Sequence, residues 1–149
     1  MFSLDRMRAL KLMVSSALLV AAAASASAYC DSFPTVEQEF KTSALVFVGQ
    51  VTSVREVAVR SQAITGGTFY SVEVVEVLKG RPSHNLQLYS ENSSGRFPME
   101  VGVQYVIFAD YAVFEGIRGQ KLAINPCGNS APLAKAQKAL AVLHALTKA

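Results

Sequence analysis

Residues 44–59 read ALVFVGQVTSVREVAV, a run rich in β-branched residues whose second half alternates between apolar and polar side chains. Such a pattern is typical of a β-strand and alternates too regularly for a helix. A second run, residues 68–78, reads TFYSVEVVEVL, and Gly66 and Gly67 ahead of it supply the positive φ angles of a tight turn. We therefore expect these two long strands to pair as a hairpin.

Both long strands carry irregularities that predict distortion of the sheet. Gly49 lies inside the first run, which favours a bend or bulge there. The doubled valine at positions 74 and 75 breaks the two-residue period of the second run, so one face of the strand switches at that point. Three shorter strands are predicted downstream, at residues 85–90, 104–111 and 120–124.

A helix is predicted on each side of the strands. Thr35 and Gln38 have the spacing of a capping box, which indicates a short helix ending near Thr42. Ser130 can cap a last helix whose first turn accepts Pro132. That helix should lie on the sheet through an apolar stripe formed by Leu133, Ala136, Leu140 and Leu143.

The predicted fold class is mainly β with flanking helices. Five antiparallel strands of uneven length, between a short N-terminal helix and a C-terminal helix, suit a small closed or half-closed barrel. The chain has 149 residues, of which 51% are hydrophobic and 17% are charged. This is enough for one domain and too apolar for a disordered chain.

Residues 1–28 have the features of a secretory signal peptide. A basic segment ends at Lys11, an apolar run covers residues 12–24, and small residues stand at Ala26 and Ala28. The apolar run is shorter than the ~20 helical residues that a bilayer core requires, so we expect no stable membrane insertion once the leader is removed. Cleavage after Ala28 would release residues 29–149 as a periplasmic or extracellular domain, and cleavage after Ser27 would leave Ala28 at its start.

Cys30 and Cys127 are the two cysteines of the chain. Thiols of an exported protein meet an oxidising environment, so we expect a disulfide between them, with two independent thiols as the alternative. The bridge would close a loop of 127 − 30 = 97 residues. In the chain-entropy model such a loop stabilises the fold by up to ~4–5 kcal/mol. It would also fasten the new N-terminus to the body of the domain.

The charge distribution argues against nucleic acid as a partner. The formal net charge is +3, but residues 1–28 hold three basic side chains and one acidic side chain, which leaves 11 basic and 10 acidic in the rest. That remainder has no run rich in Lys and Arg, whereas proteins that bind a phosphate backbone carry a basic patch or stripe.

The sequence assembles no catalytic, cofactor-binding or metal site. His84 and His144 are the only histidines, with no Cys or His at ligand spacing beside them, while a zinc site needs three or four such ligands. A nucleophile would need a histidine base with a carboxylate behind it, and the candidates lie in separate segments. Glu73 and Glu76 have odd spacing, which places them on opposite faces of a regular strand. We therefore expect a protein that is not an enzyme and needs no cofactor.

Six pieces of the chain occur together in a recognisable order. They are Cys30 with the helix at 37–42, then residues 44–51, 74–80, 93–102 and 105–109, and finally Cys127 ahead of the last helix. In this order they resemble the tissue inhibitors of metalloproteinases, a group of netrin-like domains, in the compact form of secreted bacterial proteins. The resemblance implies an OB-type antiparallel β-barrel, the fold named for binding oligonucleotides and oligosaccharides, across residues 29–149.

The resemblance also implies a mode of action. In these inhibitors an N-terminal Cys-x-Cys is pinned by two disulfides, and the α-amine and carbonyl of the first Cys chelate the catalytic zinc of a protease. Cys30 matches the second Cys and Cys127 matches its partner, whereas Ala28 and Ser94 match the two halves of the other bridge. After cleavage at Ala28 the free amine would lie on Tyr29, one residue out of register; after cleavage at Ser27 it would lie on Ala28, in register but unclamped.

Two hypotheses follow from the sequence. The first is a secreted TIMP-like domain that binds a protein, with a zinc metalloprotease as the candidate, through its tethered N-terminus and the loop at 90–96. The second is a periplasmic or extracellular module without inhibitory activity that holds a peptide, a glycan or an envelope partner, and the absence of a Cys at position 28 favours it. The residues predicted to contact the partner are Tyr29, Cys30, Asp31, Ser93 and Ser94.

Overall fold

The computed structural model describes residues 30–58, 66–93 and 95–148. The predicted signal peptide and two of the predicted contact residues, Tyr29 and Ser94, lie outside these ranges. In chain order the elements are α1 (Val36–Thr42), β1 (Leu45–Val57), β2 (Gly67–Lys79), β3 (Asn85–Glu91), β4 (Gln104–Ala112), β5 (Lys121–Ile124), β6 (Ala131–Pro132), a 3₁₀ turn (Leu133–Lys135) and α2 (Gln137–Leu146).

Strands β1 to β5 form a ring, with the two helices packed outside it. The strand order is β1-β2-β3-β5-β4, and pairing of β1 with β4 closes the ring. Strand β1 pairs with β2 along nearly its whole length, but it pairs with β4 only from Leu45 to Gln50. Because β1 continues seven residues past that last pair, to Val57, the ring is not evenly barrel-shaped. The predicted mainly β class with two helices is confirmed.

One pair of strands corrects the prediction of an entirely antiparallel sheet. Strands β3 and β5 are parallel, with Leu88 opposite Leu122 and Tyr89 opposite Ala123. The direction follows from ring closure: β4 is antiparallel to β1 and β5 is antiparallel to β4, so β5 returns beside β3 in the same direction. The short strand β6, which pairs with β4, was also not predicted.

The predicted irregularities of the first hairpin are present. The register passes from Val48 opposite Glu76 to Gly49 opposite Val74, which leaves Val75 as the extra residue of a bulge. A β-carbon on Gly49 would lie 2.5 Å from Cγ1 of Val72, so the glycine also permits close packing at the bulge.

The two glycines before β2 have different roles. Gly66 has a φ of 86°, as predicted for a turn residue. Gly67 is the first residue of β2 and is not in the left-handed region, so the prediction is wrong for it. A β-carbon on Gly67 would collide with the hydroxyl of Tyr89, and this close approach explains the glycine. Residues 59–65, which include the rest of the predicted turn, lie outside the described ranges.

Two apolar cores use opposite faces of the same strands. Phe47 and Val51 point into the ring, while Val46 and Val48 point outward beneath the helices. Burial on both faces explains why β1 begins as an uninterrupted apolar run. The inner core is completed by Tyr70, Val72, Leu88, Tyr105 and Ile107, and the outer core by Phe40, Val106, Phe108 and Leu143.

Helix α1 begins as predicted. The side chain of Thr35 accepts a hydrogen bond from the backbone of Gln38 at 3.2 Å, and the Gln38 side chain accepts one from the backbone of Thr35 at 2.9 Å. In the first turn, a hydrogen bond from the backbone amide of Glu37, together with one from the Thr35 side chain, lowers the pKa of Glu37. The negative charge is therefore favoured where the helix leaves its amides unpaired.

The last helix begins later than predicted. Ser130 is not its cap, because the chain continues as β6 and a 3₁₀ turn before α2 starts at Gln137. The Ser130 hydroxyl instead accepts a hydrogen bond from the buried backbone amide of Phe108, at 2.9 Å. The apolar stripe still faces the sheet, with Ala136 and Leu143 buried. None of the helices in residues 30–58, 66–93 and 95–148 has the length and apolar character needed to cross a membrane.

Candidate protein-binding site

A disulfide joins Cys30 to Cys127, with their Cα atoms 5.8 Å apart, as predicted. Cys127 lies just after β5, so the bridge fastens the beginning of the described chain to the end of the fifth strand. Asp31, the next residue along, is exposed to solvent.

A second link holds the same region and does not involve sulfur. Glu39 on α1 is buried, and its Oε2 atom accepts hydrogen bonds from the backbone and side-chain nitrogens of Asn129. The Asn129 side chain also donates to the carbonyl of Pro34, at 3.0 Å. Sequence reasoning missed this link, since a single glutamate on a short helix is ordinarily a surface residue. Its only signal is that it directly precedes Phe40, which packs against the outer core.

The loop that follows β3 is ordered by its own serines. Ser90 accepts a hydrogen bond through its hydroxyl from the backbone of Phe97, at 3.0 Å. The Ser93 carbonyl accepts one from the backbone of Arg96 at 3.1 Å, and its hydroxyl accepts one from the backbone of Gly95 at 3.3 Å. These hydrogen bonds hold the described residues of the loop while Ser93 stays exposed.

The loop and the disulfide meet at one short segment. A β-carbon built on Gly95 would lie 3.4 Å from Cγ of Pro126, so the loop packs against the residue that directly precedes Cys127. The structure thus brings Gly95 near the segment bridged to Cys30, although 95 − 30 = 65 positions separate the two residues in the sequence. We call this composite surface, consisting of residues 30–33, 91–93 and 95–98, the tethered ridge.

One further residue of the tethered ridge was not singled out from the sequence. Phe33 has 74% of its side chain exposed, although it lies only three residues after the disulfide. A large apolar side chain at the edge of a binding surface is a common anchor for a partner. Its signal in the sequence is weak, because a single aromatic residue before Pro34 is equally suited to core packing.

A cleft of about 490 Å³ adjoins the ridge. Its floor is one face of β1, β2 and β3, where Val54 is opposite Tyr70, and Glu56 is opposite Thr68. Arg96 and Pro98, from the loop, also line it. The β1 residues that line the cleft lie beyond the pairing of β1 with β4, which ends at Gln50.

The described charges of the cleft are mostly acidic. Among the described lining residues, Glu56 and Glu91 are acidic and Arg96 is the one cation. The Arg96 guanidinium donates a hydrogen bond to Oδ1 of Asn92, at 3.4 Å. Within the described part of the chain no group of three or more His, Cys, Asp and Glu side chains is placed to hold a metal ion.

The two strand carboxylates considered from the sequence contact different histidines. Nε2 of His144 lies 2.8 Å from Glu76, and Nε2 of His84 lies 3.4 Å from Glu73. All four side chains are at least two-fifths exposed. Each carboxylate therefore has its own partner on the surface. Because solvent screens exposed charges, such pairs contribute little to the stability of the fold.

Comparison of the chain with models of known protein families gives no match, and comparison with curated protein sequences gives none.

Proposed function

We propose that residues 29–149 form a secreted TIMP-like domain that binds a protein through the tethered ridge. We also propose that the five-stranded ring is an OB-type barrel. Support for the barrel comes from the closure of the ring by β1 and β4, with two long, bulged strands at its start. The resemblance of six ordered sequence pieces to the tissue inhibitors of metalloproteinases agrees with this assignment.

The observation that carries the proposal is the disulfide between Cys30 and Cys127. It ties Cys30, near the start of the proposed mature domain, to the segment against which Gly95 packs, and the Glu39 link to Asn129 holds the same region from a second side. A binding surface that is rigid before the partner arrives loses less conformational entropy on binding. The ridge is therefore suited to recognise a protein with little rearrangement.

The proposed partner is a zinc metalloprotease. A free α-amine and the carbonyl of the same residue provide one nitrogen and one oxygen ligand, and zinc accepts both types. The domain would thus bring ligands to the metal of its partner. With one bridge in place of two, the residue before Cys30 is held from one side only, so we expect weaker inhibition than a doubly bridged terminus would give.

The test compares two forms of the secreted protein that differ by one residue. The first has the terminus established by intact mass and N-terminal sequencing, and the second carries one additional alanine. Both are assayed against a zinc endopeptidase, with a serine protease as the control enzyme. We expect inhibition of the zinc enzyme by the first form and loss of it in the second. Equal behaviour of the two forms would exclude metal chelation by the terminus.

A second candidate function is a binding module without inhibitory activity. It is favoured by Ala28 and Ser94, which stand where the inhibitors have the second pair of bridged cysteines. In this case binding depends on the exposed ridge and not on the free amine. Ser93→Arg should then abolish binding to the envelope partner. The matched control is Arg81→Ser in the exposed turn after β2, at the opposite end of that strand from Gly67.

A further inference from the structure

Strand β1 has one edge that is paired for only half its length. Toward β2 it is paired from Val46 to Val57. On the other edge the β4 partners end at Gln50, after which Val51 exchanges hydrogen bonds with Val103 and Gly102, at 3.1 and 2.8 Å. From residue 52 to Val57, no residue of the described chain pairs with that edge.

The direction of the unpaired groups follows from the ladder. The backbone amide of Asn92 donates a hydrogen bond to the carbonyl of Gly66. The backbone N–H and C=O groups of Gly66 and of every second residue after it are therefore directed toward β3. The backbone groups of Phe69 are therefore directed toward β1, and those of its partner Arg55 are directed toward β2.

Within β1, backbone direction alternates from one residue to the next. Since Arg55 faces β2, its neighbours Val54 and Glu56 direct their N–H and C=O groups outward, at the unpaired edge. Val54 is 42% exposed, so the described part of the chain does not cover this edge. Such an edge is a template for one more strand.

The cleft lies beside this edge. Val54 and Glu56 also line the cleft, while Arg96 and Pro98 reach it from the loop after β3. A strand added to β1 would therefore place every second side chain in the cleft. This combination, backbone groups for affinity and a pocket for alternate side chains, is the arrangement by which proteins bind extended peptides.

We propose that the open edge of β1 at residues 52–57 binds an extended peptide segment of a partner protein, which adds a strand and places a Lys or Arg side chain in the cleft. The basic side chain is specified by Glu56 and Glu91, because these two carboxylates outnumber Arg96, the one cation among the described residues that line the cleft. This site goes beyond the proposed function, since it requires neither the free N-terminus nor a metal.

A second copy of the chain fits the same edge less well. If two copies paired along this edge in symmetric antiparallel fashion, the residues with outward backbone groups, Val54 and Glu56, would have to lie opposite one another across the two chains. Pairing Val54 with Glu56 of the other copy sets Arg55 opposite Arg55, and pairing Glu56 with itself sets two carboxylates opposite. Like charges in directly opposed positions destabilise a strand pair. Of the three nearest registers only the one with Val54 opposite Val54 avoids this repulsion.

The probe is a set of blocked synthetic hexapeptides in which valine alternates with a variable residue, the central variable residue being Lys, Arg, Gln or Glu. The secreted full chain is titrated with each peptide by calorimetry. We expect the Lys and Arg peptides to bind at least about ten-fold more tightly than the Glu peptide, with the Gln peptide between them. Absence of binding by all peptides at about 1 mM, or equal binding by the Lys and Glu peptides, would refute the proposal.

Two variants separate the backbone from the charge. Val54→Pro removes an outward N–H without removing a bond to β2, because proline is tolerated where the N–H of an edge strand faces solvent. It should lower affinity at least about ten-fold, while the control Val113→Pro, at an exposed position after β4 and outside the site, should stay within about two-fold. Glu56→Gln should reduce the preference for Lys over Glu at the central position. Wild-type affinity in Val54→Pro would contradict strand addition.

Amide hydrogen exchange tests the site even if Val54→Pro does not fold. In the free protein the amides of Arg55 and Val57 are paired with β2 and should exchange slowly, while those of Val54 and Glu56 should exchange fast. Addition of the Lys peptide should protect Val54 and Glu56 selectively. Protection of these amides by raising the protein concentration alone, with a dimer in sedimentation, would assign the edge to a second copy and overturn the proposal.

Discussion

The carboxylate of Glu39 accepts hydrogen bonds from both nitrogens of Asn129, the backbone N at 2.6 Å and the side-chain Nδ2 at 2.7 Å. Only 5% of Glu39 is exposed. In the described part of the chain its hydrogen-bond partners are amides and not a cation. Charge-assisted hydrogen bonds of this kind offset the loss of hydration that a buried carboxylate incurs. Glu39 therefore ties α1 to the segment that follows the disulfide.

Glu39→Gln should destabilise the protein by about 1.5–3 kcal/mol, because it replaces two charge-assisted hydrogen bonds by weaker neutral ones. The measurement is the free energy of unfolding in urea. The control is Glu115→Gln, a carboxylate exposed between β4 and β5. If both variants lose the same free energy, the Glu39 link contributes nothing specific.

Gly128→Ala tests the same region by sterics. A β-carbon there would collide with Oε1 of Glu39 and lie 2.7 Å from its Cδ. Overpacking of this kind costs about 1–3 kcal/mol, so the melting temperature should fall. Gly95→Ala is the matched control, since its β-carbon would meet Pro126 at an ordinary 3.4 Å. We expect it to change stability by less than about 0.5 kcal/mol. A smaller loss for Gly128→Ala than for Gly95→Ala would contradict the packing described.

Reduction of the Cys30–Cys127 disulfide should lower stability by up to about 4–5 kcal/mol, because the bridge closes a loop with a sequence separation of 97 residues. Thermal unfolding with and without reductant measures the effect, and intact mass reports the thiol state. The double variant Cys30→Ser with Cys127→Ser should unfold at the temperature of the reduced protein and be insensitive to reductant. Identical melting of the oxidised and reduced wild-type protein would be the contrary result.

Tyr89 carries a hydroxyl that is buried and has no hydrogen-bond partner among the described residues. Burial raises the pKa of Tyr89, and the charge of Glu91 raises it further. Tyr89→Phe removes the unpaired group, so stability at neutral pH should increase by about 1 kcal/mol. The control is Tyr111→Phe at an exposed position, which should have no effect. Equal stability changes in the two variants would show that the buried hydroxyl has a partner.

The same variant has a signature at alkaline pH. Because the folded pKa of Tyr89 is above the ordinary value of 10.0, the unfolded chain releases its proton first as the pH rises. The folding free energy that is linked to the protonated state of Tyr89 is fully present below pH 10.0. It is lost as the pH rises from there through the folded pKa. Tyr89→Phe lacks this loss, so its advantage over wild type should widen above pH 10.0 in urea unfolding. A constant difference across that range would contradict burial of the phenol.

The first hairpin was predictable because its determinants are local. Gly49 and the doubled valine at 74 and 75 predict the bulge from the sequence alone, and the register confirms it. The disulfide was equally accessible, since Cys30 and Cys127 are the only cysteines of the chain.

Other features depend on contacts that sequence patterns do not encode. The parallel pairing of Leu88 with Leu122 follows from ring closure, and Glu39 meets Asn129 across 90 positions. The packing of Gly95 against Pro126 likewise needs the course of two separate loops. The open edge after Gln50 depends on where β4 begins relative to β1, which is a property of register. The geometry of the tethered ridge was thus not predictable from the sequence.

Ser130 shows how a correct residue preference led to a wrong role, and it allows a direct test. Its hydroxyl accepts the hydrogen bond of the buried Phe108 amide at 2.9 Å, whereas α2 starts only at Gln137. Ser130→Ala should leave that amide unpaired and cost about 1–3 kcal/mol in urea unfolding. Ser130→Thr, which keeps the hydroxyl, is the control. The far-UV circular dichroism of α2 should be unchanged while the Phe108 amide exchanges faster with solvent. Loss of helical signal with an unchanged Phe108 amide would instead restore Ser130 as the helix cap, because removal of an N-cap frays the first turn of its helix.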